Sequence, residues 1–254
     1  MDILVERAGD VLTLTFNRPD RKNAITAAMY QTLADALVNA HSDASVRAIL
    51  LRGSPGIFSA GNDLEDFLKA PPVGDEAPVF QFLRALSTAE KPLVAAVAGA
   101  AVGIGTTMLL HCDLVYAADT AKFSLPFAQL GLCPEAASSL LLPRVAGYQA
   151  AAEKLLLGEA FDAHEALRMG FVNRLLPAAE VDGFALQQAH KLALLPAASL
   201  RVTKALMKRA SQHEIHTQIS EEGVHFAKML LAPEAQEAFK AFFEKRKPDF
   251  RSFS

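Results

Sequence analysis

Residues 3–17, ILVERAGDVLTLTFN, alternate apolar and polar positions on either side of Gly9-Asp10. That period of two is the mark of a half-buried strand, and the turn dipeptide between the runs predicts a hairpin. The period then lengthens to 3.6. In TAAMYQTLADALVNAHSD, residues 26–43, Met29, Leu33, Leu37 and Val38 recur at helical spacing, with Thr26 placed as N-cap. Continuous apolar runs follow: VRAILLRG, PLVAAVAG and DLVYAA read as buried strands. EAPVFQFLRALSTAE reads as a helix between them, GIGTTMLLHC as a buried helix opening in glycines, and GIFSAGNDL as a small-residue loop. This alternation, up to residue 125, predicts an α/β core.

Beyond residue 140 only GFVNRLL carries a strand signal. AAEKLLLG, DAHEALRMG, VDGFALQQAHKLALL, AASLRVTKALMKRA, EIHTQISEEGVHFAKMLL and PEAQEAFKAFFEKRK read as successive helices punctuated by Gly or Pro. Pro196 divides the chain into a core over 1–195 and a terminal helical region over 196–254, too poor in core of its own to stand free. The segment 69–78, KAPPVGDEAP, is the expected mobile surface loop.

Composition narrows the class. A hydrophobic content of 51% and a charged content of 21% over 254 residues call for a large core. The net charge of −3 lacks the basic excess of a nucleic-acid surface. No stretch reaches the roughly 18 apolar residues of a membrane span, and the first residues lack the basic and apolar regions of a signal peptide. The two cysteines, Cys112 and Cys133, have neither disulfide nor metal spacing. A cytoplasmic protein without a metal is expected.

Three segments could carry chemistry. FSAGNDL, 58–64, presents backbone N–H groups beside Ala60 and Gly61, which suit an anion or a carbonyl oxygen gaining charge. Its plainer reading is a connection in which Asp63 caps a helix. AGAAVGIGTTM, 98–108, resembles a dinucleotide fingerprint, but Met108 stands where the third glycine is required; it serves instead as a second turn of backbone donors. In GLCPEAASS, Glu135 follows Pro134 among small and apolar residues. Taken alone it reads as an exposed helix-start carboxylate; buried without a partner it would be a general base. HEIH at 213–216 lacks metal-ligand spacing and reads as a solvated helix face, and the FFEKRKPDF tail as a solubilising basic cluster.

LTFNRPDRKNAI, GIFSAGNDL, KPLVAAVAGAAVGIGTTMLLHCDLVYAADTAKFSLPFAQLGL and FDAHEALRMGFVNRLLP together resemble the crotonase, or enoyl-CoA hydratase/isomerase, superfamily over essentially the whole chain. The resemblance implies a spiral of ββα units with a C-terminal helical trimerisation region, assembled as a homotrimer or dimer of trimers. It implies an acyl-CoA thioester substrate and no separate cofactor, coenzyme A being part of the substrate. The thioester carbonyl would lie between the N–H groups of Asn62 and Ile104, beside Gly61 and Gly103. Coenzyme A would follow Arg21, Lys22 and Ala24, with its adenine near Ala60, Asp63 and Leu64; Lys245 and Lys247 would reach phosphates from a neighbouring subunit.

Within that superfamily the acid/base residues decide the reaction. The two glutamate positions of the hydratases fall here on Thr107 and Phe127, neither of which accepts a proton at neutral pH. LPFAQLGLCPEAASS is instead similar to the Δ3-Δ2-enoyl-CoA isomerases of the peroxisomal type, which places the base at Glu135, with Leu125, Phe127 and Leu132 as the apolar wall. The alternatives are another crotonase-fold activity on acyl-CoA, such as a hydratase of unusual design, for which Asp63 and Glu65 are the nearby carboxylates, and an acyl-CoA-binding relative without catalysis.

Overall fold

A computed structural model describes residues 1–72, 74 and 76–253. Strands β1 (Ile3–Ala8) and β2 (Val11–Phe16) form the expected antiparallel hairpin, with Ala8 opposite Val11 across the turn. α1 (Ala27–Ser42) follows, its N-terminus capped by the Thr26 side chain, which accepts from the Met29 N–H. Met29, Leu33 and Leu37 are buried as the spacing requires, but Val38 is exposed; Tyr30, Ala34 and Ala40 complete the inner face instead.

The next units repeat one theme. β3 (Ala48–Gly53) is followed by β4 (Ile57–Ser59) and helices α2 (Leu64–Lys69) and α3 (Pro78–Ser87). β5 (Leu93–Val97) is followed by β6 (Ala100–Val102) and the short α4 (Ile104–Thr107), then β7 (Leu114–Ala118) by β8 (Lys122–Ser124). The first strand of each pair joins one sheet and the second strand another. The GIFSAGNDL segment is therefore not all loop, since β4 occupies its start.

After β8 come α5 (Ser138–Ala146), α6 (Tyr148–Ala152), β9 (Phe161–Asp162), α7 (Ala163–Met169), β10 (Arg174–Leu176) and α8 (Val181–Leu194). The larger sheet has the order β1-β2-β3-β5-β7-β10 and is parallel beyond the hairpin; the smaller has the order β4-β6-β8-β9. α8 packs across β3, β5 and β7, while β4 lies against β3 and β5. Strands covered on both sides need apolar residues at every position, which is why β5 reads LVAAV without alternation.

α9 (Ala197–Lys208), α10 (Gln212–Leu230) and α11 (Pro233–Phe243) complete the chain. They dock on the core of their own chain. α10 packs on α3 and α5, and Lys204 of α9 makes a 2.6 Å ion pair with Asp113 and donates to the Lys91 carbonyl. Of the expected mobile segment 69–78, residues 73 and 75 lie outside the described residues. Among the described residues no helix is long and apolar enough to cross a membrane.

Candidate active site

The NRPDRKNAI segment between β2 and α1 is stitched to the turn that follows β4. Asn23 is buried, and its amide donates to the Ser54 hydroxyl at 2.9 Å and to the carbonyls of Ile57 and Phe58. The Ser59 hydroxyl donates to the Asn23 carbonyl and accepts from the Gly61 N–H. Arg18 reaches across to Asp63 at 2.6 Å, and Asp63 also caps α2 by accepting from the Asp66 N–H, so the plain helix-cap reading holds for this residue.

One bridge sets the direction of the donor in this turn. The Gly61 carbonyl accepts from Ile25 at 2.8 Å and the Asp63 N–H donates to the Ile25 carbonyl at 2.9 Å. Extended backbone alternates its direction residue by residue, so the Asn62 N–H between them points the other way. The second turn yields a donor by a different route. The N–H groups of Thr106 and Thr107 return to the Gly103 carbonyl, whereas Ile104 opens α4, where helix geometry provides no internal acceptor. Among the described residues neither the Asn62 nor the Ile104 N–H has an acceptor. The turns abut: a Cβ on Gly61, whose φ is +90°, would lie 2.9 Å from the Val102 carbonyl oxygen.

Glu135 arrives from the opposite side on a strained turn. Ala136 and Ala137 both have left-handed backbone, φ 61° and 54°, which costs about 1–3 kcal/mol per non-glycine residue and persists only where neighbours enforce it. His111 Nε2 contacts the Ala136 carbonyl oxygen at 2.8 Å. Glu222 of α10 accepts from the N–H groups of Ala137 and Ser139, at 2.6 and 3.1 Å, and from the Ser139 hydroxyl. An acidic side chain from 85 residues away thus satisfies the N-terminus of α5, where the local sequence supplies no cap.

The Glu135 side chain is buried, and the Asn62 amide donates to its two oxygens at 3.2 and 3.4 Å. The buried Tyr30 hydroxyl donates to the Asn62 amide oxygen, fixing the amide so that its NH2 faces the carboxyl. Burial raises the Glu135 pKa to about 8, against the lowering effect of the Asn62 hydrogen bond and with a smaller push from the Glu222 charge. Burial, and then the Glu135 charge, hold Tyr30 well above its ordinary value, so the phenol stays protonated. The exposed helix-start reading of Glu135 is thereby corrected.

These groups meet in a cleft of about 620 Å³. Of the expected site residues, Arg21, Lys22, Ala24, Ala60, Gly61, Asn62, Asp63, Leu64, Gly103, Phe127, Leu132 and Glu135 line it. Ile104 is fully buried, so only its backbone bears on the site. Leu125 is fully buried in the core and is not part of the cleft wall, a correction to its expected place in the pocket: two residues before Phe127, at the end of β8, it packs inward. Lys245 and Lys247 are exposed and lie outside the lining. Thr107 is buried, with a hydroxyl that has no partner among the described residues.

Tyr30 and Glu222 are not among the residues expected from the sequence, nor are the aromatic walls Phe226, Phe239, Phe242 and Phe243 from α10 and the end of α11. The adjacent phenylalanines of FKAFFEK are the visible signal, an apolar pair at the end of a helix next to the basic cluster. Of the hydratase-type candidates, Asp63 is held by Arg18 and Glu65 by Arg21 at 2.8 Å.

Comparison with known proteins agrees with this arrangement. A family model described as enoyl-CoA hydratase/isomerase matches residues 6–252. The chain is 37% identical over 250 residues to enoyl-CoA delta isomerase 2 of Rattus norvegicus, covering 96% of this chain but 64% of that protein's length. It is 32% identical to 2,3-dehydroadipyl-CoA hydratase of Escherichia coli, with 98% of each covered. The crystal structure of an enoyl-CoA hydratase/isomerase from Pseudoalteromonas atlantica superposes with a TM-score of 0.94 at 43% identity, over 98% of this chain and 100% of that one.

Proposed function

The chain belongs to the enoyl-CoA hydratase/isomerase family, and we propose that within it the protein is a Δ3-Δ2-enoyl-CoA isomerase with Glu135 as its base. One observation carries the reading: in the cleft, Glu135 is a buried carboxyl group that neither an arginine nor a helix end holds, and it shares the cleft with the Asn62 turn, whose N–H has no acceptor among the described residues. Moving a double bond from C3 to C2 requires removing a proton from C2 and returning one to C4. A single carboxyl group over the face of the intermediate does both, and no water enters the balance.

The Glu135 carboxylate takes the C2 proton as the thioester oxygen gains charge between the Asn62 and Ile104 N–H groups. Each such donor is worth about 3 kcal/mol in the transition state. The protonated Glu135 then delivers its proton to C4 of the dienolate. A pKa of about 8 suits both halves, since a stronger acid would hold the C2 proton poorly. Phe127 and Leu132 keep water from the intermediate. In the same proposal Arg21, Lys22 and Ala24 track coenzyme A, its adenine sits near Ala60, Asp63 and Leu64, and no cofactor beyond the substrate is needed.

A hydratase reading has support in the names of relatives such as the E. coli protein. It would need a second carboxylate, and Glu222 is the buried one beside Glu135; its oxygens, however, are taken by three donors. We further propose a cytoplasmic homotrimer, or a dimer of trimers, in which Lys245 and Lys247 approach a neighbour's phosphates. The exposed apolar residues Val202, Leu206 and Met207 of α9 offer a surface for that association. Purified protein given 3-enoyl-CoA should form the conjugated 2-enoyl thioester and add no water to it. Hydration of 2-enoyl-CoA at a rate above isomerisation would overturn the assignment.

A further inference from the structure

The cleft does not end at Glu135. Behind that carboxyl group, and sharing Glu135, Phe67 and Phe226 with the cleft, lies a narrow apolar passage of about 20 Å³. Its walls include Val79, Phe80 and Leu83 of α3 and Ile219 of α10. Phe80 closes it down by lying on α10 at Gly223, where a Cβ would come within 2.8 Å of the ring. On the far side of Phe80 the space widens into a second cavity of about 260 Å³, which shares Phe80, Ile219 and Gly223 with the passage.

The lining of that outer cavity differs from the passage. Arg84 and Ser87, one and two turns beyond Phe80 on α3, face His216 and Ser220 on α10. His216 lines this wall, with its Nε2 closed off from solvent and without a hydrogen-bond partner among the described residues. Arg84 brings a guanidinium to the cavity wall, and a guanidinium there suits an anionic ligand. An apolar corridor suits methylene groups but gives nothing to a cation at its end. A carboxylate there would answer Arg84. The HEIH segment is therefore not a uniformly solvated face, since His213 is exposed and His216 turns inward.

We propose that the acyl chain runs past Glu135 between α3 and α10, and that Arg84 receives a carboxylate at its far end, so that the preferred substrates are ω-carboxyacyl-CoA thioesters. This rests on the reading of the cleft as an acyl-CoA site. Phe80 swings off Gly223 to admit the chain, and the thioester stays at the two backbone donors.

Equilibrium binding of saturated acyl-CoA thioesters tests this without turnover. Two series of increasing length are compared, one ending in methyl and one in carboxylate. At the length that spans the passage, the carboxylate-ended thioester should bind about tenfold or more tightly than its methyl counterpart. Arg84→Met should abolish that preference and leave the methyl series unchanged, while Arg84→Lys retains part of it. Equal or tighter binding of the methyl series at every length, or a preference that survives Arg84→Met, overturns the proposal. Failure of the isomerase reading shows separately, as thioester binding without conversion of any 3-enoyl-CoA. If neither series binds, both fall.

Discussion

Burial pushes the Glu135 carboxyl up to about 8, with the Asn62 amide opposing the shift and the Glu222 charge adding to it. A base must be deprotonated to take the C2 proton, so activity rises as the pH climbs through that value. Below it, kcat/KM should fall about tenfold per pH unit, and initial rates across the pH range measure the limb. A profile flat from pH 6 to 9 would contradict a buried base. Tyr30 acts on the same group at one remove, because its hydroxyl orients the Asn62 amide. Tyr30→Phe should lower kcat about tenfold with little change in KM, as expected for a lost positioning contact, and steady-state kinetics separates the two parameters. Glu135 was legible only through the family resemblance of LPFAQLGLCPEAASS, together with the absence of acids at Thr107 and Phe127; its own surroundings read as an exposed helix start. Its environment was not, because Asn62 lies 73 residues away and Glu222 reaches the adjoining turn across 85.

At the level of elements, the two donor turns and the PEAASS turn are each forced by neighbours rather than by local propensity. Glu222 of α10 holds the left-handed alanines by accepting from Ala137 and Ser139. Glu222→Ala strands those donors in a buried site and should cost about 2 kcal/mol or more. It should also lower kcat, since the turn that carries Glu135 slackens. Urea unfolding reads the first effect; unchanged stability would show that the turn is fixed without Glu222. The longer elements were legible because their periods are clear: the β1–β2 hairpin, α1 with its Thr26 cap, and the uniformly apolar β5. The smaller sheet was not, because β4, β6 and β8 have three residues each and β9 two, too few for any period to show.

Across the whole molecule, alternating strand pairs stack two sheets so that the donor turns, at the ends of β4 and β6, fall side by side. The terminal helices then close the cleft from outside, bringing Phe226, Phe239, Phe242 and Phe243 to its wall. That docking was not legible, since amphipathic helices state that a partner surface exists and not which one. The exposed apolar face of α9 leaves room for a further partner, which we assign to copies of the same chain. Sedimentation equilibrium should give a mass of three or six chains, and a monomer at micromolar concentration would contradict the assembly. The chemistry itself is tested most directly by the rate of 3-enoyl-CoA isomerisation in Glu135→Gln, whose amide is close in shape and cannot carry the proton. A loss of about 10³-fold or more in kcat with acyl-CoA binding retained is expected, as for removal of an essential base; a variant that keeps isomerising within tenfold of the wild-type rate would show that Glu135 is not the proton carrier.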